Sequence, residues 1–267
     1  MKVLKQYIIL LLFVPVISAC TRVIDLKLDS DTGRMVIEAN ITNVKGVQTV
    51  KLSQNVSLSN TNTYPAVSGA NVSIRDNAGN TYNFSETTTA GTYTVNAVAG
   101  TVGNVYNLTV ASGGKVYTAA STMPVAIKLD SVTDKNTVLN ANKGRKQITA
   151  HFQDPPGLGN QYRFVFYVNG VQINREFAFN DDFTDGNYVH LDLRESDVDI
   201  FAGDTVTIEM QCIDKPIYTY WYSIQQQQPN GPGGGVTPTD PPTNIAPSNT
   251  LGYFSAHTTQ SVTITVK

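Results

Sequence analysis

The stretch Tyr162–Ile173, with the sequence YRFVFYVNGVQI, contains the strongest hairpin signal in the chain. Two runs rich in aromatic and β-branched residues flank Asn169-Gly170, and Asn-Gly favours the positive φ values that a two-residue hairpin turn requires. A second hairpin is predicted at Tyr106–Tyr117, where Ser-Gly-Gly separates two alternating runs. Short alternating runs of this kind recur along most of the chain, separated by turn residues. The pattern is typical of β-sandwiches, so the predicted fold class is all-β.

The order of strands and breaks predicts two β-sandwich domains. Their resemblance to known folds implies immunoglobulin-like or prealbumin-like sandwiches, and the first domain resembles the prealbumin-like type. The junction is expected at Met123-Pro124, because proline cannot donate to a central strand. The first sandwich is therefore predicted over residues 33–123 and the second over residues 124–267.

Two interruptions are predicted inside the second sandwich. Apolar residues fall at helical spacing after Pro216, and proline is favoured at a helix start, so a short helix is expected at about 216–227. Residues 229–250 are too rich in Pro, Gly and Asn to hold regular structure.

The N-terminus resembles a bacterial lipoprotein signal. Two lysines precede the apolar run Tyr7–Ile17, which is shorter than the roughly 20 residues that a transmembrane helix needs. The sequence Ile-Ser-Ala-Cys that ends at Cys20 resembles a lipobox, in which the cysteine thiol is acylated. We expect a signal peptide over residues 1–19, lipidation of Cys20 and a tether over residues 20–32. The alternative is an ordinary secretory signal with an incidental cysteine.

Charge and cysteine content narrow the function classes. Charged residues are 15% of the chain and the formal net charge is −2, without a run of Lys or Arg, so nucleic acid is not an expected partner. The chain contains two cysteines, and lipidation of Cys20 leaves Cys212 without an intramolecular disulfide partner. Cys212 alternates with polar residues in the same register as Val206, Ile208 and Met210, so its thiol is predicted to point into a core.

Motifs of known catalytic centres are not found in the sequence. There is no Gly-x-Ser-x-Gly elbow, P-loop or His-Glu-x-x-His motif. The histidines His151, His190 and His257 are scattered without metal-ligand spacing, and His151 is expected on the polar side of its strand. No catalytic residue and no cofactor are predicted, and the protein is not expected to be an enzyme.

The loop at residues 181–192 contains a partial match to a calcium-binding loop. Asp181, Asp185 and Asp192 fall at the first, fifth and twelfth positions, with Gly186 at the sixth. Phe183 occupies the third ligand position, and the flanking segments are predicted strands rather than helices. A plain polar hairpin loop is therefore the favoured interpretation, and calcium binding is the alternative.

An aromatic cluster near the predicted helix is the candidate ligand-binding surface. Aromatic rings offer a large apolar face with a polar edge, which suits stacking on a sugar or peptide. The alternative is that these rings pack the helix on the sandwich, an interpretation favoured for Trp221 and Phe254. The candidate ligand-binding aromatics are Tyr218, Tyr220, Trp221, Tyr222 and Tyr253.

Several motifs, in this order, resemble an uncharacterised family of Bacteroidota outer-membrane lipoproteins that contain a domain of unknown function (DUF 4249-like). They include Ile24-Asp25-Leu26 after the lipobox and Gly69-Ala70-Asn71-Val72, and the ending Leu251-Gly252-Tyr253-Phe254-Ser255-Ala256 is the most specific element. Members of such families are commonly associated with TonB-dependent outer-membrane transporters. The resemblance therefore implies a lipid-anchored accessory role in nutrient uptake, with such a transporter as partner, and it supplies no catalytic residues.

The function expected from the sequence is a membrane-anchored, non-catalytic binding or accessory module of an outer-membrane uptake system. A structural or adhesive cell-surface protein is the alternative. A glycan or peptide hydrolase is less favoured, because no nucleophile–base or paired-acid constellation can be assembled. Acidic residues directly after the lipidated cysteine often signal surface display in this phylum. Here the first acidic residue is Asp25, so surface-exposed and periplasm-facing orientations both stay open.

Overall fold

The computed structural model describes most of the chain after the predicted tether. The predicted signal peptide, Cys20 and most of the tether lie outside the described residues, as does the first part of the predicted irregular loop. Among the residues described, no helix is both long enough and apolar enough to cross a membrane. The described residues are 32–57, 63–137, 144–194, 198–228 and 239–267.

The first half of the chain supplies seven strands to a sandwich of two packed sheets. One sheet contains β1, β2 and β5, the other contains β3, β6 and β7, and β4 pairs with both β3 and β5 at the edge. The strands are β1 (Met35–Thr42), β2 (Gly46–Gln54), β3 (Asn71–Asp76), β4 (Thr81–Glu86), β5 (Thr92–Val98), β6 (Val105–Ser112) and β7 (Lys115–Thr122).

The second half of the chain forms another pair of sheets. One sheet has the order β13-β9-β8. The other has the order β11-β10-β14-β16, with β12 also paired to β10. The elements are β8 (Leu129–Asn136), β9 (Lys146–Gln153), β10 (Gln161–Val168), β11 (Val171–Gln172), β12 (Phe177–Asn180), β13 (Tyr188–Leu193), β14 (Thr205–Ile213), α1 (Lys215–Gln227), β15 (Ile245–Ala246) and β16 (Leu251–Thr265).

These elements confirm the predicted all-β fold, the hairpin and the short helix. Val168 pairs with Val171 across the turn, and both Asn169 and Gly170 have positive φ, at 51° and 80°. The helix α1 begins after Asp214, whose side chain accepts a hydrogen bond from the backbone N–H of Ile217, and it has proline in its first turn.

Burial alternates along strands such as β1, β2, β6 and β7, whereas β10 and the middle of β16 are buried on both faces. The buried residues form two separate hydrophobic cores. One core is built from β1–β7 and Met123, and the other from the strands between Leu129 and Val266. The chain crosses between them near the predicted junction. The predicted boundaries placed all of residues 124–267 in the second sandwich. In the structure, however, Ile245, Phe254 and Ala256 pack in the first core.

This difference arises because β16 is shared by both sandwiches. Its first half, Leu251–His257, pairs in parallel with β1, and its second half, Thr258–Thr265, pairs antiparallel with β14. One uninterrupted strand of 15 residues therefore continues from one sheet into the other. The parallel pairing joins the first strand to the last, and local patterning along the sequence carries no signal for such a long-range contact.

The carboxylate of Asp214 provides a second connection where the two sandwiches meet. Its Oδ2 atom accepts hydrogen bonds from the Ser121 hydroxyl at 2.8 Å and from the Thr122 N–H at 2.9 Å. The Ser121 hydroxyl in turn accepts the N–H of Ala256 on β16 at 2.9 Å. Burial raises the pKa of Asp214, and the hydrogen bonds oppose that rise. The end of β7, the start of α1 and the middle of β16 are thereby joined.

Replacement of Gly252 by alanine tests the parallel pairing. Gly252 has φ +91°, and a Cβ atom there would collide with the backbone carbonyl of Ile37 on β1. Gly203 is a matched control, because it has φ +97° and open space around the same position. We expect Gly203→Ala to cost about 1 kcal/mol of unfolding free energy and Gly252→Ala to cost about 3 kcal/mol or more. Urea unfolding followed by Trp221 fluorescence measures both, and equal losses would contradict the close approach.

Protonation of His257 should weaken the fold at acidic pH. His257 is buried in the middle of β16, and this burial lowers its pKa to about 4, with Glu209 opposing the shift and Arg163 adding to it. The unfolded chain, with a histidine pKa of about 6.5, therefore takes up the proton first. Stability is full above about pH 6.5 and falls as the pH is lowered towards 4, by about 3 kcal/mol in total.

The variant His257→Asn isolates this contribution, because asparagine does not titrate in this range. Its unfolding free energy should fall less than that of the unaltered protein between about pH 7 and about pH 4.5. The measurement is chemical denaturation at the two pH values. The same pH dependence in both proteins would show that His257 is not the responsible group.

Candidate functional site

One end of the second sandwich is formed by two interlocked segments, the turn at residues 154–160 and the loop at residues 181–187. The N–H of Asp154 donates to the Asn187 carbonyl at 3.0 Å, and the N–H of Gly157 donates to the Asp185 carboxylate at 2.6 Å. The N–H groups of Gly159 and Asn160 each donate to the Asp181 carboxylate at 2.9 Å. The turn is therefore held to the loop mainly through aspartate side chains.

Three carboxyl groups meet between these two segments. One carboxylate oxygen each from Asp154, Asp181 and Asp185 lies within 4.8 Å of the other two. Asp154 and Asp181 are buried, at 0% and 1% exposure, whereas Asp185 is exposed. The Tyr162 hydroxyl donates a hydrogen bond to Oδ1 of Asp154, while Oδ2 has no hydrogen-bond partner among the described residues. We call these three residues the acidic cluster.

The electrostatics of the acidic cluster favour neutralisation of its charge. Burial raises the pKa of Asp154, and the negative charges of Asp181 and Asp185 raise it further, against the opposing influence of Tyr162 and Thr184. Burial and the hydrogen bond to Asp154 raise the pKa of Tyr162 far above its usual range, so this hydroxyl stays protonated and donates. A cation or a proton bound at this site would relieve the repulsion.

The acidic cluster corrects one residue of the sequence-based calcium hypothesis. Asp181 and Asp185 do come together, but Asp192 lies on β13, where it accepts hydrogen bonds from the Lys135 ammonium and the Thr149 hydroxyl, both at 2.7 Å. Burial alone would raise the pKa of Asp192, but these hydrogen bonds hold it below its usual value. The third carboxylate of the acidic cluster is that of Asp154. The sequence spacing could not show this, because Asp154 lies in a proline-rich turn far outside the loop.

Part of the predicted aromatic surface is packed against the protein. Trp221 lies 5.0 Å from Tyr253 between ring centroids, and Tyr220 lies at the same distance from Tyr253. The guanidinium carbon of Arg163 lies 3.6 Å from the centroid of a Trp221 ring, and Arg163 also forms an ion pair with Glu176 at 2.9 Å. Tyr220, Trp221 and Tyr253 therefore attach α1 to the sheet, and Phe254 is fully buried in the first core.

The remaining predicted aromatics lie on the outside of α1. Tyr218 and Tyr222 stack on each other with centroids 5.3 Å apart, and Tyr222 is 41% exposed. Partial burial raises the pKa of Tyr218, and the charges of Tyr222 and Asp182 raise it further. The N–H of Ala178 on β12 donates to the Gln225 side chain of α1 at 2.6 Å, and the loop with Asp182 directly follows β12. The next residue, Phe183, is 96% exposed. We call Tyr218, Tyr222 and Phe183 the outer aromatic face.

The histidines and Cys212 differ in accessibility. His151 and His190, which appear scattered in the sequence, meet on neighbouring strands with their Nδ1 atoms 2.7 Å apart. His257 shares a hydrogen bond of 2.9 Å with the Ser255 hydroxyl, but both side chains are buried, so a substrate cannot reach this Ser–His pair. Cys212 is buried as predicted, and burial raises the pKa of its thiol, which makes it a poor nucleophile.

The sequence of residues 21–263 matches a family described as a domain of unknown function, DUF4249. This match covers most of the chain. The chain belongs to the DUF4249 family. Comparison of this DUF4249 protein with curated proteins gives no match.

Among solved structures, a segment of two fibronectin type III domains from chicken tenascin is similar to this DUF4249 protein. The similarity covers 68% of this chain and 91% of that chain, with 10% sequence identity and a TM-score of 0.23.

Adjacent aromatics on α1 provide a test of the two roles assigned to its faces. We expect Trp221→Ala to cost about 2–4 kcal/mol of unfolding free energy, because it removes the ring that contacts both Arg163 and Tyr253. Tyr222→Ala should cost less than about 1 kcal/mol, because that ring lies on the outer face. Trp221 is the single tryptophan of the chain, so the comparison uses far-UV circular dichroism during urea unfolding. Equal losses of unfolding free energy in the two variants would contradict the division of α1 into a packed face and an outer face.

Proposed function

We propose that this DUF4249 protein is a lipid-anchored, non-catalytic accessory module that binds a partner of a TonB-dependent outer-membrane uptake system. The observation that carries the proposal is the lipobox-like sequence ending at Cys20. The family match starts at residue 21, directly after this cysteine. The match is therefore compatible with cleavage before Cys20 and attachment of the described domains to a membrane through a short tether.

The surface of the described domains supports binding as the role of the tethered part. The outer aromatic face combines a stacked tyrosine pair with Phe183, whose side chain is 96% exposed. A single exposed apolar side chain needs no explanation, but a stacked pair of tyrosine rings on the outside of a helix suits an interaction site, because tyrosine is enriched at interfaces. Here α1 supplies the support for the tyrosines, and the segment joined to the turn at residues 154–160 supplies the support for Phe183. We propose that this face contacts the partner.

The chemistry of the described residues supports an accessory rather than a catalytic role. The Ser255–His257 pair is buried, and the Cys212 thiol is protonated and enclosed. In the exposed histidine pair, His151 shares hydrogen bonds with His190 and with the Thr133 hydroxyl. Neither contact pairs a histidine with a serine or cysteine nucleophile. These features are compatible with a tethered β-sandwich that binds a partner through aromatic residues and catalyses no reaction.

Replacement of Cys20 by serine tests the lipid anchor. In the native host, the unaltered protein should incorporate an alkyne-labelled fatty acid and sediment with outer membranes. Cys20→Ser should lose both properties, because serine lacks the thiol that receives the lipid. Cys212→Ser is the matched control and should be labelled normally, since that thiol is buried. Labelling of Cys20→Ser at the same level would exclude the proposed anchor.

Co-purification tests the accessory role separately from the anchor. After extraction in a mild detergent, the tagged protein should recover a TonB-dependent barrel, identified by mass spectrometry. The double variant Phe183→Ala, Tyr222→Ala should lose the barrel while remaining in the membrane. Val171→Ala, which alters another strongly exposed apolar side chain, should retain it. Recovery without a barrel in several detergents would argue strongly against the proposed function.

A further inference from the structure

A fully buried oxygen without a hydrogen-bond donor distinguishes the acidic cluster from an ordinary group of surface aspartates. Asp154 is 0% exposed, and its Oδ2 atom has no hydrogen-bond partner in the described part of the chain. Buried carboxylate oxygens are otherwise almost always satisfied, because an unsatisfied one loses its hydration without compensation. The nearby Thr184 side chain lowers the pKa of this carboxyl without forming a full hydrogen bond, so a cation or a proton bound here would compensate the buried oxygen.

The protein groups around the cluster hold the carboxylates in place without supplying an opposite charge. Backbone N–H groups of Gly157, Gly159 and Asn160 bind Asp185 and Asp181, and the Tyr162 hydroxyl binds Asp154. The ion pairs formed among the described residues involve other carboxylates. The three acidic groups are thus fixed close together by neutral donors.

We propose that Asp154, Asp181 and Asp185 form a calcium site that joins the turn at residues 154–160 to the loop at residues 181–187. The candidate ligand oxygens lie within 4.8 Å of one another. Two oxygens bound to the same Ca²⁺ ion, each at about 2.3–2.6 Å, can lie up to about 5 Å apart. The observed spacing accommodates calcium.

The types of donor atom also favour calcium over a transition metal. All three side chains of the cluster are carboxylates, and neither a histidine nor a cysteine belongs to it. Zinc and copper prefer nitrogen and sulfur ligands, whereas Ca²⁺ takes six to eight oxygens in irregular arrangements. Two short loops facing each other can complete such a shell with carbonyl groups and water. An exported protein also meets calcium at concentrations that suit weak sites, with dissociation constants of about 10⁻⁴–10⁻³ M.

The proposed ion would fix the loop that contributes Phe183 to the outer aromatic face. Asp181 and Asp185 flank Asp182 and Phe183, so a cation between them and Asp154 restrains the segment on both sides of the exposed ring. This consequence rests on the proposed function. Binding of the ion does not, because it depends on the acidic cluster alone and can be measured without any partner.

The test uses the full chain, purified in detergent and treated with a chelator that is then removed. Calcium should raise the thermal midpoint of unfolding, with saturation in the range of about 10⁻⁴–10⁻³ M at constant ionic strength. Terbium, a luminescent substitute for calcium, should be sensitised by the ring of Tyr162, and added calcium should displace it. Magnesium at the same concentration should have a much smaller effect on both signals.

The variants Asp185→Asn and Asp182→Asn separate a specific site from general surface charge. Asp185 is exposed, so its replacement leaves the buried carboxylates intact, and Asp182 is its exposed neighbour outside the cluster. Asp185→Asn should weaken calcium binding at least about tenfold, the loss expected for a ligand that contributes 1.4 kcal/mol or more. Asp182→Asn should bind calcium as the unaltered protein does.

Three results would overturn the proposal. They are no calcium response at about 10 mM, equal responses to calcium and magnesium, or equal calcium affinities in the two variants. The absence of a calcium response would indicate that a bound proton, rather than a calcium ion, satisfies the buried Asp154 oxygen. A loss of barrel co-purification alone would not produce any of these results, so failure of the proposed function and failure of the calcium site are distinguishable.

Discussion

The fold depends on a single strand that is hydrogen-bonded into both sandwiches. The first half of β16 closes the sheet that starts with β1, and its second half closes the sheet that contains β14. Each hydrophobic core therefore receives side chains from the same strand, through Phe254 and Ala256 on one side and Val262 and Ile264 on the other. Residues 31–267 accordingly form one compact unit, although they contain two cores.

This arrangement determines where functional groups can lie. The shared strand and the Asp214 hydrogen bonds occupy the region between the cores, and α1 covers the outer side of the second sandwich through Trp221. Loops remain at the ends of the sheets, where the acidic cluster and Phe183 are found. Binding residues on loops that a rigid β-scaffold positions are a common arrangement in sandwich proteins. The proposed binding face therefore lies on the outside of α1 and on a loop, outside both hydrophobic cores.

The sequence predicted features that depend on local patterns. The hairpin at Asn169-Gly170, the helix after Pro216 and the burial of Cys212 follow from turn chemistry and from the spacing of apolar residues over short distances. The role of β16 could not be predicted, because the partner of Leu251–His257 is a strand more than 200 residues earlier in the chain. The spacing of apolar residues over a few positions does not show where a strand passes from one sheet into another.

The residues of the candidate site were also predicted only in part. Sequence spacing identified Asp181 and Asp185 but selected Asp192, because the pattern assumed a continuous loop between helices. The actual third carboxylate, Asp154, approaches through sheet pairing between β9 and β13 and through the turn that follows β9. Likewise, the sequence identified the aromatics of α1 as a group but could not separate those that contact Arg163 and Tyr253 from those that face outwards. Both the third carboxylate of the cluster and the set of outward-facing aromatics depend on how side chains point relative to strands that are distant in the sequence.

Native-state hydrogen exchange along β16 tests the central claim most directly. If the shared strand couples the two sandwiches, backbone amides in its first half and in its second half should exchange through the same global opening, with equal free energies close to that of complete unfolding. A lower free energy of opening for Leu251–His257 than for Thr258–Thr265, or the reverse, would show that the sandwiches unfold separately. That result would contradict the account of β16 as the strand that unites them.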